Sequence, residues 1–201
     1  MKNIVIIGAG ELGKEVVWLI EDINKTNPEY LILGFLDDLN SVDTLIDGYR
    51  VLGKVDEIEN LYARNPFYAV VAIQDGTSRR RIVEEHKGYT SWETIVHPTA
   101  VLPKDTLLGD GSIVFPHVTF SIHNRLGKHG LYYLNSTVCN DCSFGDYVSI
   151  MTGVTVSEHV RIGNESYLSA GCTIYPHISI GDRCKVAVHT TVMQDLESDS
   201  K

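Results

Sequence analysis

The sequence predicts an α/β domain of the βαβ type followed by a triangular parallel β-helix. Residues 1–95 alternate between short apolar runs and amphipathic segments, which is typical of strands and helices around a small parallel sheet. From Val96 onwards an apolar residue recurs at every sixth position, a period that fits neither an α-helix nor a hairpin sheet. We therefore predict two domains, residues 1–95 and residues 96–201.

The N-terminal domain is predicted to contain three strands and three helices. The strands are expected over residues 4–7, 30–36 and 67–73, and the helices over residues 11–23, 55–64 and 78–86. A domain of about 95 residues is only half of a complete dinucleotide-binding fold, which argues against a dehydrogenase.

The turn between the first strand and the first helix carries the pattern G-x-G-x-x-G at Gly8, Gly10 and Gly13. Glycines let the backbone turn tightly and approach a phosphate, and the helix amino terminus presents free N–H groups to an anion. Asp37 and Asp38 end the second strand, where a carboxylate can reach a ribose hydroxyl. These features indicate a nucleotide-shaped ligand, and a turn that only joins strand to helix is the alternative.

The second half of the chain contains a hexapeptide repeat. Seventeen positions at six-residue steps from Val96 to Val192 are apolar, and nearly all residues four positions after them are small or β-branched. One inward residue in every six predicts a triangular prism with eighteen residues per coil. Gly often follows the inward residue, as in Leu108-Gly109, and we expect Gly or Asp in the strained turns.

The composition excludes several classes of protein. The 26 acidic and 17 basic residues give a formal charge of −9, which argues against a binder of nucleic acid or acidic membranes. The one dense basic run, Arg79-Arg80-Arg81, is interpreted as a solvated helix turn. No apolar stretch is long enough to span a bilayer and no export signal is evident, so we expect a cytoplasmic location and reduced cysteines. The cysteine spacing does not fit a zinc site, and no metal is expected.

Six segments carry a resemblance to a known family. They are the Gly-rich turn at 8–13, Phe-Leu-Asp-Asp at 35–38, Ala-Ile at 72–73 with the basic run at 79–81, Ile-Val-His-Pro-Thr-Ala at 95–100, Leu-Asn-Ser-Thr-Val at 134–138 and Asp-Cys-Ser-Phe-Gly-Asp-Tyr at 141–147. Over essentially its full length the chain resembles bacterial nucleotide-sugar acyltransferases of the sialic-acid O-acetyltransferase and bacillosamine N-acetyltransferase type. The resemblance implies a Rossmann-like βαβ domain that binds a nucleotide-linked sugar, followed by a left-handed β-helix that binds acetyl-CoA. It also implies a homotrimer with active sites between subunits, and a product used in polysaccharide or glycan synthesis.

The resemblance also implies site residues. The nucleotide-linked sugar is expected to contact Gly8, Gly10, Glu11, Leu12, Gly13, Asp37, Asp38 and Ile73. Acetyl-CoA is expected to contact Ser149, Glu158, Ala170 and Pro176. The catalytic candidates are Asn140, Asp141, His123 and His159.

One departure from the family pattern bears on the reaction. The family's general base is a histidine beside an acid, and here that position is Asn140, followed by Asp141. A second family histidine is replaced by Ser149. An amide takes no proton at neutral pH, whereas a sugar amine attacks a thioester with less help than a hydroxyl needs. We therefore predict an acetyl-CoA-dependent N-acetyltransferase in which the amine of a UDP- or dTDP-linked amino-dideoxy sugar attacks the thioester directly.

Two alternatives stay open. Residues eighteen apart stack in adjacent coils, so His123, Asp141, His159, His177 and Asp195 form one column. His123 or His159 can therefore serve as the base of a sugar O-acetyltransferase. The second alternative is a non-catalytic homologue that binds nucleotide sugars. Serine and tetrahydrodipicolinate acyltransferases share the β-helix but do not need the Asp-Asp nucleotide half.

Overall fold

The computed structural model describes residues 1–201, which form two compact units. The first unit comprises Met1–Gln74 and Ser78–Glu93. The second comprises Thr94–Lys201 together with the short segment Asp75–Thr77. Each unit has its own buried apolar core.

The N-terminal half is built on one sheet. Its strands are β1 (Lys2–Ile7), β2 (Tyr30–Leu36), β3 (Leu45–Ile46), β4 (Tyr49–Gly53), β5 (Tyr68–Val71) and β6 (Ser91–Trp92). The helices are α1 (Glu11–Thr26), α2 (Ile58–Arg64), which follows a 3-10 turn at Val55–Glu57, and α3 (Gly76–Glu85). The strand order is β3-β4-β2-β1-β5-β6, and every neighbouring pair is parallel except β3 and β4. None of the three α-helices is long and apolar enough to cross a bilayer.

The predicted alternation of strands and helices is confirmed, but the hairpin of β3 and β4 was not predicted. Its turn is Asp47-Gly48, and both residues have positive φ, 46° and 87°. An Asp-Gly turn between apolar residues is a strong hairpin signal that could have been used. The strands are short and half-exposed, and the pairing of β4 with β2 supports them.

The core of the N-terminal unit lies between the sheet and its helices. Ile4, Ile6 and Ile7 of β1 are fully buried, as are Leu19 and Ile20 of α1, which contacts β1. Burying such a side chain stabilises the fold by about 1.5–3 kcal/mol, so this layer fixes the positions at which β1 ends and α1 begins.

The second unit is a left-handed parallel β-helix. Its two-residue strands are β7 (Ile95–Val96), β8 (Leu107–Leu108), β9 (Ile113–Val114), β10 (Thr119–Phe120), β11 (Arg125–Leu126), β12 (Leu131–Tyr132), β13 (Thr137–Val138), β14 (Ser143–Phe144), β15 (Ser149–Ile150), β16 (Thr155–Val156), β17 (Arg161–Ile162), β18 (Tyr167–Leu168), β19 (Thr173–Ile174), β20 (Ser179–Ile180), β21 (Lys185–Val186) and β22 (Thr191–Val192). They form three parallel sheets, one on each side of the prism. Paired residues differ by eighteen, as in Leu126 and Phe144, so the predicted coil length is confirmed.

Apolar side chains fill the prism as predicted. Every six-step position from Val114 to Val192 is buried, whereas Leu102 in the first coil is 36% exposed. Small polar residues at the corners tie adjacent coils together. The Oδ1 atom of Asn124 accepts the Cys142 N–H at 2.9 Å, and Oγ of Ser166 accepts the Cys184 N–H at 3.0 Å.

The tight turns place one residue per hexapeptide in the left-handed region. The non-glycine residues in these turns have φ between 53° and 64°, and they are His117, His123, His129, Asn135, Asp141, Tyr147, His159, Glu165, His177, Arg183 and His189. Asn, Asp and His tolerate this conformation better than most residues, and six of the protein's eight histidines lie in such turns.

The glycine that follows the inward residue has a different role from the one predicted. Gly109, Gly127, Gly145, Gly163 and Gly181 are not at positive φ. A Cβ atom at any of them would overlap the backbone of the next coil. These glycines are therefore needed for the close stacking of coils. The residue with positive φ lies two positions later in each turn.

Candidate functional site

An open cavity of about 510 Å³ lies beside the Gly-rich turn of the N-terminal unit. Its lining comes from the loops that follow β1, β2 and β5, the start of α1, one residue of the 3-10 turn and part of α3. These residues are Gly8, Gly10, Glu11, Leu12, Asp37, Asp38, Leu39, Val55, Ala72, Ile73, Gln74, Arg81 and Ile82. The carboxyl ends of adjacent parallel strands are the usual ligand site in such sheets. The cavity brings together seven of the eight residues assigned to the nucleotide-linked sugar.

Gly13 is the exception, and it does not line the cavity. A Cβ atom at Gly13 would overlap the carbonyl of Gly8, so this glycine lets α1 pack closely on the turn. Gly8 has φ of 98°, and a Cβ there would lie 2.9 Å from the Ala72 carbonyl oxygen. Both glycines therefore shape the turn, and Gly8 also exposes backbone to the cavity.

The amino end of α1 has no side-chain cap. Gly10 is the N-cap residue and its carbonyl accepts the Lys14 N–H at 3.1 Å. The Glu11 carboxylate pairs with the Lys14 ammonium at 2.8 Å and is largely exposed. The first N–H groups of a helix have no partner within it, so this end of the helix offers donors to an anion in the cavity.

Both carboxylate oxygens of Asp37 accept hydrogen bonds from within the protein. Its Oδ2 atom accepts the Ala9 N–H at 2.8 Å, and its Oδ1 atom accepts the N–H groups of Leu39 at 2.9 Å and Asn40 at 2.8 Å. Burial raises the pKa of Asp37, but these hydrogen bonds outweigh burial and leave the pKa lowered. Asp37 therefore holds the Gly-rich turn against the end of β2.

The neighbouring carboxylate of Asp38 is exposed and mostly free. One oxygen accepts the Val55 N–H at 3.0 Å, and the other has no hydrogen-bond partner. Asp38 lines both the cavity of about 510 Å³ beside the Gly-rich turn, which we call the main cavity, and an adjacent cavity of about 330 Å³. Of the two aspartates that the sequence pointed to, Asp38 is the one that can accept hydrogen bonds from a ligand.

Three of the catalytic candidates, His123, Asp141 and His159, lie in one column along a corner of the β-helix, and Asn140 precedes Asp141 at the same corner. His123 stands between Asp105, one coil before it, and Asp141, one coil after it. Its Nε2 atom is 3.3 Å from Oδ2 of Asp105, and its Nδ1 atom is 3.4 Å from Oδ1 of Asp141. Asp105 was not among the predicted residues, although it lies one more step of eighteen residues before His123.

Asn140 and Asp141 contact each other directly. The Asn140 amide donates to Oδ2 of Asp141 at 2.7 Å. This hydrogen bond, and then the nearby imidazoles of His123 and His159, lower the pKa of Asp141. Asp141 is exposed and carries its charge at neutral pH, so it can hold a cationic or N–H group.

His159 differs from His123 in its contacts. Its ring stacks on the ring of His177, with centroids 4.8 Å apart and an interplanar angle of 9°. Its backbone N–H donates to the Asn140 carbonyl at 3.0 Å. Of the two histidines considered as a base, His123 is the one whose ring nitrogen lies beside the Asp141 carboxylate.

The cysteines near this column are not poised as nucleophiles. Burial, and then the charge of Glu158, raises the pKa of Cys139. Burial raises the pKa of Cys142 to about 11, and its Sγ donates to the Ser157 carbonyl at 3.1 Å. A thiolate is the reactive form, so both residues are unreactive thiols at neutral pH.

The four residues assigned to acetyl-CoA lie in different parts of the prism. Glu158 and Pro176 follow Asn140 at steps of eighteen, so they share its column. Ser149 lies on β15, where it is buried, and Ala170 follows β18 in the same sheet. A single chain therefore does not bring these four residues together. No group of three or more His, Cys, Asp or Glu residues is arranged to hold a metal ion.

Comparisons of sequence find one matching family model and a similar curated protein. Residues 3–86 match the family model described as the PglD N-terminal domain. The chain is 30% identical over 153 residues to the GDP-perosamine N-acetyltransferase of Escherichia coli O157:H7. That alignment covers 74% of this chain and 66% of the relative, just under two thirds of its length.

Solved structures show the same fold along nearly the whole chain. The acetyltransferase domain of PglB from Neisseria gonorrhoeae has a TM-score of 0.88 and 25% identity, with 98% of this chain and 93% of that domain covered. The perosamine N-acetyltransferase of Caulobacter crescentus, in a variant with one histidine replaced by asparagine and in complex with CoA and GDP-perosamine, has a TM-score of 0.90. Its identity is 22%, and 99% of this chain and 92% of that chain are covered. The chain therefore matches the PglD N-terminal domain family over residues 3–86, and over nearly its full length it has the fold of these acetyltransferases, a small parallel sheet with helices followed by a left-handed β-helix.

Proposed function

We propose that this protein is an acetyl-CoA-dependent N-acetyltransferase that acts on the amino group of a nucleotide-linked amino sugar. The observation that carries the choice of an amine is the Asn140–Asp141 pair. An amide stands where the family's base is expected, and it leaves an ionised carboxylate beside it. The GDP-perosamine N-acetyltransferase at 30% identity supports the same reaction.

The proposed chemistry is one displacement at the thioester. The neutral amine attacks the acetyl carbon, so that a C–N bond forms and the C–S bond breaks. The nitrogen loses one proton and the departing thiolate gains one, so the products are the N-acetyl sugar and CoA thiol. Asp141 orients the amine through an N–H donor, and Asn140 holds Asp141 in place. Positioning of two bound reactants can supply about 7–11 kcal/mol of the barrier reduction, which is why a strong base is not essential for an amine.

The nucleotide is proposed to bind in the cavity of the N-terminal unit. The Gly-rich turn offers backbone N–H groups to phosphate, and the free oxygen of Asp38 accepts N–H or O–H groups of the nucleoside. We expected a UDP- or dTDP-linked sugar, whereas the Escherichia coli relative is a GDP-perosamine N-acetyltransferase and the Caulobacter crescentus structure holds GDP-perosamine. A test panel therefore needs all three bases. Since nucleotide sugars and acetyl-CoA are cytoplasmic metabolites, the reaction is placed in the cytoplasm.

We further propose a homotrimer with acetyl-CoA bound between subunits. Glu158 and Pro176 share one corner of the prism, whereas Ser149 lies on a strand of another side and Ala170 lies in the turn that follows that side. A ligand that touches all four therefore needs residues from two copies of the chain. Sedimentation equilibrium tests this arrangement, and a monomer that turns over at full rate would contradict it.

The experiment that tests the proposed function is release of free CoA thiol from acetyl-CoA. The acceptor panel contains GDP-, UDP- and dTDP-linked 4-amino-dideoxy sugars, with matched sugars that carry only hydroxyl groups. Rapid thiol release with an amino sugar alone is the expected result. Binding of a nucleotide sugar without thiol release from any acceptor would support the non-catalytic homologue instead.

A second candidate, transfer to a sugar hydroxyl, is favoured by one observation. The His123 imidazole lies 3.4 Å from the Asp141 carboxylate, and such a pair can act as a general base. In that case His123→Gln should abolish transfer to hydroxyl sugars. His117→Gln is the matched control, because His117 occupies an equivalent left-handed turn outside this column.

A further inference from the structure

The basic run that follows β5 divides into side chains with different surroundings. Arg79 is buried, and its Nη1 atom donates to the carbonyl oxygens of Ile73 and Gln74, both at 2.8 Å. Arg81, two residues later on α3, is exposed and lines the cavity beside the Gly-rich turn. The run is therefore not a uniformly solvated helix turn. Arg79 anchors the chain after β5, whereas Arg81 is available to a ligand.

Arg81 is the one Lys or Arg among the residues that line the main cavity. It forms no ion pair within the protein. The nearby Lys54 is already engaged, because its ammonium donates to the carbonyl oxygens of Asp38 and Asn40 at 2.8 and 3.0 Å. An unpaired guanidinium thus lines a cavity whose other charged lining residues are carboxylates. An anionic ligand in the cavity would supply the guanidinium with a partner.

The position of Arg81 specifies which part of a ligand it meets. It lines both the main cavity and the adjacent cavity of about 330 Å³, as Asp38 does. Gly8, Gly10 and Arg81 line the same cavity, so a diphosphate held by the N–H groups of the Gly-rich turn lies in the space that the Arg81 side chain also lines. A guanidinium offers two parallel N–H donors to phosphate oxygens, which a carboxylate or amide cannot do.

We propose that Arg81 binds the diphosphate of the nucleotide sugar and makes the protein prefer nucleoside diphosphates to monophosphates and nucleosides. This inference rests on the proposed function, since it assigns a residue within the proposed nucleotide site. It gives Arg81 a role in binding and selection, with no part in the chemistry at the thioester.

The test is calorimetric titration of the full chain and of Arg81→Gln with GDP and UDP, their monophosphates and their nucleosides. We expect Arg81→Gln to bind the diphosphate about 10- to 100-fold more weakly, or about 1.4–2.8 kcal/mol. Binding of the nucleoside should be unchanged. Arg81→Lys should recover only part of the loss, because an ammonium keeps the charge but not the paired donors.

Arg64→Gln is the matched control, because Arg64 is an exposed arginine on α2 that lines neither cavity. Unchanged diphosphate affinity in Arg81→Gln would overturn the inference while leaving the proposed function intact. An equal loss for diphosphate and nucleoside would also overturn it, because the effect would then be on the shape of the site. If the unmodified chain binds no nucleoside diphosphate, the proposed function itself fails.

Discussion

Asp37 and Asp38 are adjacent and chemically identical, yet the fold gives them separate tasks. The chain leaves β2 at this point, so successive side chains face different surroundings. Asp37 is buried against backbone N–H groups, whereas Asp38 is exposed to the cavity with one oxygen free. The sequence indicates two candidate carboxylates, and only the hydrogen bonds tell which of them is available.

We expect Asp37→Asn to destabilise the N-terminal unit by about 1–3 kcal/mol, because the Ala9 N–H then loses its charged acceptor. The pKa of Asp37 is below its ordinary value of 3.8, so its stabilising effect is complete above that pH. The effect is lost as the pH falls through the lowered pKa of the folded state. The difference between wild type and variant should therefore shrink below about pH 4.

Urea unfolding followed by tryptophan fluorescence measures this difference, since both tryptophans, Trp18 and Trp92, lie in the N-terminal unit. Asp38→Asn is the control, because its amide oxygen can still accept the Val55 N–H. Its unfolding free energy should change by less than about 0.5 kcal/mol, while its nucleotide affinity falls. Equal destabilisation by the two variants would contradict the separate roles.

A second prediction at this scale concerns Asn140. Asn140→His places an imidazole beside Asp141, and a general base contributes about 10²–10⁴ to a rate where proton transfer limits it. We expect at least about a tenfold rise in the rate of acetyl transfer near pH 7. Steady-state thiol release measures the rise. Asn135→His, at a left-handed turn of another corner, should leave the rate unchanged. A lower rate in Asn140→His would contradict this prediction and would show that the hydrogen bond from the Asn140 amide to Asp141 matters more than a base at this position.

At the scale of the element, one coil of the β-helix is defined by two special positions. One is the turn residue with positive φ, and the other is the glycine that lets each coil stack closely on the next, as Gly109, Gly127, Gly145, Gly163 and Gly181 do. The two positions tolerate different changes, because the first restricts backbone conformation while the second restricts volume. A glycine in the sequence does not by itself reveal which restriction applies.

We expect Gly163→Ala to destabilise the β-helix by about 1–3 kcal/mol, because its Cβ would lie 2.6 Å from the Asp182 backbone nitrogen. Gly153→Asn should change stability by less than about 0.5 kcal/mol. Gly153 has φ of 66°, which Asn tolerates, and a Cβ there meets nothing within 4 Å. Thermal unfolding followed by circular dichroism compares them, and a larger loss for Gly153→Asn would reverse this assignment.

At the scale of the whole molecule, two units with separate cores each contain one of the two proposed ligand sites. The proposed nucleotide cavity is lined only by residues of the N-terminal unit, and the Asn140–Asp141 pair lies wholly in the β-helix. We expect GDP or UDP to slow amide hydrogen exchange in residues 8–13 and 37–40, and CoA to slow it in the β-helix. Hydrogen exchange measured with each ligand alone tests this division. Protection of the β-helix by a nucleotide without any effect on residues 8–13 would contradict it.

Much of the fold could be predicted because the repeat is unbroken. Each coil needs an inward apolar residue, so the period identifies the prism and its eighteen-residue register. The β3–β4 hairpin was missed because its strands are short and half-exposed, so burial leaves little trace in the sequence. Arg81 was missed because a run of three arginines does not show that one of them is buried and another faces a cavity.

The candidate site could be predicted where it depends on the eighteen-residue register of the coils. It could not be predicted where it depends on contacts between individual side chains. The column through His123 and Asp141 follows from a step of eighteen residues. The stacking of His159 on His177 and the full use of Asp37 depend on side-chain orientation, which residue spacing does not determine.

The left-handed corner has a consequence for how such a site changes over time. Along the edge that carries His123, Asp141, His159 and His177, four successive turns have the same left-handed backbone geometry, each about 4.8 Å from the next, and three of the four hold a histidine. A functional group can therefore move along the axis of the prism by substitution at a position eighteen residues away, with no insertion and no change of fold. Successive coils of the β-helix therefore offer equivalent turn positions, and a reactive side chain can change position by one coil at a time.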